Sequence, residues 1–441
     1  GDDLLRVLDE QAERVREVEG IGPTRAARIV RSWQDKRAQR DTLLFLQGLG
    51  LKPGQSARIL KRYGDQTVAR VRENPWQLAE DVGGVGFLTA DRLGAQLGIA
   101  PDAPARLQAG LLHVVGEGRM RGHCFLPRPE LLQRTSELLS QPAESLIPAL
   151  ADLFASRRAV AEGARVWPPD LHDAERSVVD RLRALRQTAA TPLDLDIPSA
   201  LNWAEERSGI TLTMGQREAL AQALVNKVVV ITGGPGTGKT TIIRALLDIW
   251  QRKGLVPSLA APTGRAARRL EEATGRKAST LHRLLEFSPK NARFQRDQDA
   301  PLTTGAAVVD EASMLDVLLA DALLSGLPDS ARLVLVGDVE QLPSVGPGWV
   351  LGDLIDSGVL PVVRLDVVFR QDAAGLIVNN AHRILRGLPP RSSEGPDGDF
   401  FVVPRPAPAA ALKTIVHLVS ERIPRRFGLD PIRDIQVLSP M

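Results

Sequence analysis

A single cysteine, Cys124, stands in the 441 residues, so no disulfide can form within the chain, and a reducing cytoplasm is its expected location. No apolar run approaches the ~20 residues that cross a bilayer. No charged-then-apolar leader opens the chain, and no membrane partner is expected. An excess of either charge is lacking too: 56 Lys and Arg against 53 Asp and Glu leave a net +3. That balance permits binding to a polyanion without demonstrating it, although the basic residues are mostly Arg, the better fork for phosphate. What is plentiful is apolar content, 43%, enough for several domains with sizeable cores.

The most specific pattern begins at the apolar run Val228-Val229-Val230-Ile231-Thr232, followed directly by Gly233-Gly234-Pro235-Gly236-Thr237-Gly238-Lys239-Thr240-Thr241 and a helical stretch, Ile242 to Trp250. Strand, glycine loop, helix is the context that G-x-x-x-x-G-K-[ST] needs to cradle a polyphosphate. The helix N-terminus adds roughly half a positive charge at the same spot. The candidate ligand-binding residues are Gly234, Pro235, Gly236, Thr237, Gly238, Lys239, Thr240 and Thr241. Lys239 would reach the β- and γ-phosphates, and Thr240 would ligate Mg²⁺. A second apolar run, Ala306 to Val309, ends in Asp310-Glu311. Asp310 would hold Mg²⁺ through water, and Glu311 would take the proton from an attacking water. A third, Leu333 to Val336, leads through Gly337-Asp338 to Gln341, whose neutral amide can orient water or sense the γ-phosphate.

The N-terminal third carries a weak repeat. Gly20-Ile21-Gly22, Gly48-Leu49-Gly50 and Gly84-Val85-Gly86 each precede a helical pattern, Thr24 to Trp33 and Phe87 to Leu97 for the first and third. In a helix–hairpin–helix, paired glycines let the turn approach a DNA backbone while the next helix offers free N–H groups to phosphate. Such contacts read no base edges. The same hairpins could instead pack helices or dock a protein. A helix over 106–119, a short strand at 124–127, helices over 129–140 and 143–157, and a hairpin over 159–167 suggest a winged-helix-like module. A helix over 171–186 and a linker over 191–198 then lead onward.

Motif by motif, residues 212–385 resemble a superfamily-1 DNA helicase of the RecD-like, 5′→3′ type. The resemblance rests on the phosphate loop, Asp310-Glu311, Gly337 to Gln341 with Leu342 to Gly348, and four further segments: Leu212 to Ala219, Pro262 to Leu270, Thr280 to Leu285, and Val367 to Gln371. It implies ATP as the nucleotide, with Gln216 reading adenine and Arg370 reaching the γ-phosphate. It also implies single-strand contacts at Pro262-Thr263-Gly264-Arg265 and at His282. Arg265, Arg268 and Arg269 start a helix after Thr263, which suits phosphate but also fits a solvated face; His282 could equally be a satisfied helix histidine. Asn74 to Gly98 resembles the N-terminal extension of the long, stand-alone members. The resemblance also implies that the polar, basic segment Glu286 to Asp297 holds the place of an inserted hairpin that splits the duplex in that family. Phe287 and Phe294 would support it, and Lys290 and Arg293 would hold phosphate; a surface loop is the alternative.

The expected fold is α/β, with RecA-like P-loop motor domains preceded by an all-α helix–hairpin–helix region and the winged-helix-like module. Expected boundaries are 1–104, 105–170, a linker helix over 171–200, and a first ATPase domain over 201–360 with a pin hairpin at 286–304. A second RecA-like domain is expected to begin at 361 and to be incomplete at 441, after a helix over 409–421 and a strand over 434–438. The expected function is ATP-dependent translocation on single-stranded DNA and unwinding of tailed duplex, in DNA repair or recombination. A monomer is expected, with a single-strand-binding protein as a further candidate partner. The alternatives are a DNA-stimulated ATPase that translocates without unwinding, and a DNA-junction binding module attached to a crippled ATPase.

Overall fold

The computed structural model describes residues 23–189, 192–366, 375–395 and 397–439. Up to Arg364 the described residues other than 234–238 form one compact unit; 234–238 and the residues from Leu365 onward cluster separately.

Helix α1 (Pro23–Gly48) runs unbroken because no Gly or Pro interrupts it after Pro23, so the helix expected over 24–33 is only its first part. It ends in a Schellman turn: Gly50 takes φ +75°, Leu51 N–H donates to Leu46 O at 3.2 Å and Gly50 N–H to Gln47 O at 2.8 Å. Helices α2 (Pro53–Tyr63), α3 (Thr67–Glu73), α4 (Gln77–Asp81) and α5 (Phe87–Gln96) follow. They close on a small core of Leu46, Ile59, Val71, Leu78, Val85 and Leu93.

Next come α6 (Pro104–Met120), β1 (Leu126–Pro127), α7 (Arg128–Leu139), α8 (Ala143–Ala155), β2 (Val160–Glu162) and β3 (Arg165–Trp167). The strands form an antiparallel sheet in the order β1-β3-β2, with Val166 opposite both Leu126 and Ala161. Helix–strand–helix–helix–hairpin is the order read from the sequence. Arg106 on α6 grips Asp91 on α5 through Nε and Nη2 at 2.7 and 2.9 Å.

Helix α9 (Pro169–Gln187) occupies the stretch expected as a linker helix, but it is no bridge. Leu171, Ala174, Val178, Leu182 and Leu185 are buried in the same core as the central sheet, and Arg181 donates to Leu324 O and Leu327 O.

The sheet is built from α10 (Ile197–Ser208), α11 (Met214–Val225), β4 (Val228–Gly233), α12 (Lys239–Arg252), β5 (Pro257–Ala261), α13 (Gly264–Thr274), β6 (Ala278–Thr280), α14 (Leu281–Leu284), β7 (Ala306–Val309), α15 (Val317–Gly326), β8 (Arg332–Gly337), α16 (Val350–Asp356) and β9 (Val362–Leu365). Its strand order is β6-β5-β7-β8-β4-β9. The pairs β6/β5, β5/β7, β7/β8 and β8/β4 are parallel. β7 and β8 are buried throughout, as the continuous apolar runs of parallel strands covered on both faces require. β9 joins this sheet beside β4, with Val230 N–H donating to Pro361 O at 3.0 Å, so the sheet extends past the position where a second domain was expected to start.

Two further local expectations differ from the structure. No hairpin spans 286–304: a single antiparallel bridge, Ser288 with Arg293, closes a short turn, because no Asn-Gly or Asp-Gly supplies a tight two-residue connection. Residues 434–438 form no strand, since none of the ladders among the described residues includes them. The second unit is otherwise α17 (Leu376–Leu385), α18 (Pro408–His417) and α19 (Ile423–Phe427), with a wide helical turn at Leu418–Arg422 where the helix over 409–421 was expected to end.

Candidate functional site

Parallel pairing brings the carboxyl ends of β6, β5, β7, β8 and β4 to one edge, where open α/β sheets bind ligands. At the end of β4 lies the glycine loop, in which Gly236 and Gly238 take φ +81° and +85°. Only glycine adopts those angles without strain. Thr237 Oγ1 donates to Gly234 O at 2.9 Å. Lys239 opens α12, with Thr240 and Thr241 behind it in the first turn. Its ammonium donates to Gly233 O at 2.5 Å, which holds it at the strand end.

Asp310 follows β7, and its N–H donates to Ala260 O of β5 at 3.0 Å. Burial pushes its carboxyl above the ordinary carboxylate value; the Glu311 N–H, 2.9 Å from Oδ1, and the Lys239 ammonium pull the other way. Glu311 stands at φ +54°, a left-handed conformation that costs a non-glycine residue about 1–3 kcal/mol and concentrates at functional sites. At the end of β8, buried Asp338 accepts the Glu340 N–H at 3.1 Å and the Gln341 amide at 3.3 Å. Sequence reading passed over Asp338, although an acid closing an apolar strand is the same signal that marked Asp310.

The other candidates sit toward β6. Pro262 follows β5, and Thr263 caps α13 by accepting the Ala266 N–H at 3.3 Å. Gly264 opens that helix, which presents Arg265, Arg268 and Arg269 to solvent. His282, on α14, is exposed and flanked by Phe287 and Phe294, each with ring centroids 5.5 Å away. Gln216 is buried in a reciprocal cap with Thr213: its Oε1 accepts the Thr213 N–H at 3.1 Å, and its own N–H donates to Thr213 Oγ1 at 3.3 Å. β6 and β4 are four strand positions apart, roughly 19 Å. The nucleic-acid candidates therefore occupy one side of the edge and the nucleotide candidates the other, meeting where β5 pairs with β7.

Of the paired glycines, Gly48 closes α1 and Gly50 spends its N–H in the Schellman turn. Gly84 takes φ +85°, with the Arg58 guanidinium 2.7 Å from where its Cβ would lie, and its carbonyl accepts the Gln55 amide at 2.7 Å. Gly86 caps α5. Gly20, Gly22 and Arg370 lie outside the described residues. No described helix is long and apolar enough to cross a membrane.

Two family models match the chain: an AAA domain over residues 216–347 and the ATP-dependent RecD2 DNA helicase HHH domain over residues 35–125. The ATP-dependent RecD2 DNA helicase of Deinococcus radiodurans is 36% identical over 405 residues, 87% of this chain and 54% of that protein. The RecBCD enzyme subunit RecD of Mycobacterium tuberculosis is 43% identical over 164 residues, 32% of this chain and 28% of that protein. The ATP-dependent DNA helicase dda of Enterobacteria phage T4 is 34% identical over 148 residues, 31% of this chain and 34% of that protein. The chain thus spans about half the length of the first of these relatives. With the helical and ATPase models matched in that order and one relative aligned along 87% of the chain, the chain belongs to the RecD-like superfamily-1 DNA helicases, in the branch with an N-terminal helix–hairpin–helix region.

Proposed function

We propose that this chain binds ATP with Mg²⁺ at the β4–β7–β8 edge, hydrolyses it, and uses the cycle to move along single-stranded DNA and open a duplex. The observation that carries the reading is Lys239 and Asp310 meeting at one sheet edge, close enough for the ammonium to act on the half-buried carboxyl. Mg²⁺ asks for one or two protein oxygens plus substrate phosphates rather than a full cage. The Thr240 hydroxyl and the half-buried Asp310 carboxylate match that donor set. When bound, the ion would neutralise charge between the β- and γ-phosphoryl oxygens.

In this reading the loop N–H groups and Lys239 hold the phosphates and Thr240 and Asp310 hold the metal. Glu311 accepts the proton of the attacking water, Gln341 orients that water, and Gln216 reads the base. Arg370 would neutralise the γ-phosphate. Pro262, Thr263, Gly264, Arg265 and His282 grip the strand, and the Gly84–Gly86 turn, beside Arg58, contacts duplex backbone. Movement in the 5′→3′ direction is supported by family alone, as are a tailed duplex as substrate, a single-strand-binding protein as partner, a monomeric state and a cytoplasmic location.

Lys239→Ala is expected to abolish ATP turnover. Glu311→Gln should retain nucleotide binding and lose at least about 10²-fold in kcat, the usual cost of one positioned group. Near-normal turnover in Glu311→Gln would remove it as the base. Strand-displacement assays with tails of either polarity then separate unwinding from translocation alone.

A further inference from the structure

The loop that carries Gln341 is fixed at both ends, and its far end rests on the winged-helix-like module. Beyond Gln341, the Ser344 hydroxyl shares its proton between Gly346 O at 2.9 Å and Gly348 O at 2.8 Å, and Val317 N–H donates to Pro347 O at 2.9 Å. Gly348 then donates its N–H to Gly122 O at 3.0 Å. Both glycines sit where other residues are strained, Gly122 at φ +88° and Gly348 at φ +94°. A Cβ on Gly348 would meet Cys124 Sγ at 3.1 Å, one on Gly122 would lie 3.9 Å from Gly346 O, and one on Gly346 would overlap the Asp316 carboxylate. At Gly348 the missing side chain lets the loop approach Cys124, and at Gly122 it is the backbone angle that calls for glycine. Between the two anchors the loop is open to solvent: Leu342 is 87% and Val345 93% exposed.

We propose that Gly122 and Gly348 form a backbone clasp through which the N-terminal region sets the position of Gln341, making Gly122 a positioning residue for ATP turnover. The proposal rests on the nucleotide reading above. Coupling of this kind needs a physical element that two sites can bias, and the clasp supplies one. Displacing the turn at Gly122 pulls on Gly348 and hence on a loop whose other end is the Asp338–Gln341 hydrogen bond. The sole cysteine, Cys124, sits in the clasp beside a cavity of about 410 Å³ that reaches Arg183 and Arg186. Burial and then Glu175, Asp353 and Asp316 push its thiol up to about 12.

The test compares Gly122→Val with Gly163→Val, since Gly163 (φ +58°), in the β2–β3 turn of the same module, has nothing within 4 Å of its Cβ position. In folded protein, Gly122→Val is expected to lower DNA-stimulated kcat on the order of tenfold, with KM for ATP and Kd for DNA within about twofold; this is a misplacement smaller than the ~1 Å that costs 10²-fold. Gly163→Val should match the wild type. Unchanged kcat in Gly122→Val, or an equal loss in Gly163→Val, overturns the proposal. If Gly122→Val does not fold, the wild type decides. A small thiol reagent should modify Cys124 at a different rate once single-stranded DNA and a non-hydrolysable ATP analogue are bound together, and equal rates overturn the clasp. A wild type that never turns over ATP fails the nucleotide reading, and this proposal with it.

Discussion

Burial of Asp310 at the end of β7 has a consequence for stability as well as for metal binding. Its carboxyl titrates above the ordinary carboxylate value in the folded chain, so the native state binds a proton more tightly than the unfolded one. Stability is therefore lost as pH rises from the ordinary carboxylate pKa through the raised one, and the cost of the buried charge is fully present above it. Asp310→Asn keeps an oxygen for the Glu311 N–H and removes that charge. In the absence of nucleotide it should raise the denaturant midpoint at neutral pH, with the advantage shrinking as pH falls into the carboxylate range, while ATP turnover is lost. A midpoint equal to wild type at every pH would mean the carboxyl is not held against burial. At this scale much was legible: Asp310 closes an apolar run, Lys239 ends the glycine loop that follows another, and the chemistry of such strand ends is local. Asp338 carries the same strand-end signal, but its work was not legible, because it holds Gln341, a contact that no spacing rule contains.

The segment after α14 shows how a single element can be read half correctly. Its aromatic residues were seen as supports, and Phe287 and Phe294 do pack on each other, with ring centroids 5.0 Å apart, and on His282. Phe294 also packs against the main core, and Leu285 O accepts the N–H groups of Gln295 and Arg296 at 3.1 and 3.2 Å. Register was the illegible part. Ladder formation depends on what pairs across a turn, and here only Ser288 and Arg293 do. The structure also decides how the segment can be tested. Removing everything from Ser288 to Gln295 would strip Phe294 from the core and confuse folding with function. Replacing Pro289-Lys290-Asn291-Ala292 by Asn-Gly keeps the bridge and both phenylalanines while deleting the exposed tip with Lys290. Single-strand-stimulated ATPase should stay within about twofold of wild type and unwinding should fall at least about tenfold, the loss expected when positioning is disturbed without touching the chemistry. Unwinding at the wild-type rate would move strand separation elsewhere.

For the molecule as a whole, the division into modules is weaker than the sequence suggests, and α9 is the reason. The spacing of Leu171, Ala174, Val178, Leu182 and Leu185 announces an amphipathic helix, but no periodicity states which surface will cover its apolar face. In the structure that surface is α15 and the sheet, and Cys124 and Trp167 of the winged-helix-like module join the same core. Burying Leu171, Val178, Leu182 and Leu185 contributes about 1.5–3 kcal/mol each, a sum comparable with the ~5–15 kcal/mol net stability of a whole domain. Arg181 adds hydrogen bonds to two α15-side carbonyls and an ion pair with Asp329 at 3.0 Å. Two shortened proteins separate a linker from a core helix. One that starts at Pro169 keeps α9 and should unfold cooperatively, at a midpoint lowered by the lost Cys124 and Trp167 contacts. One that starts at Ile197 lacks α9 and should lose cooperative unfolding or precipitate, because the apolar face of α15 is left uncovered. Circular dichroism melts of the two, side by side, decide the matter: equal midpoints would mean that α9 is a tether after all, and that the motor core closes without it.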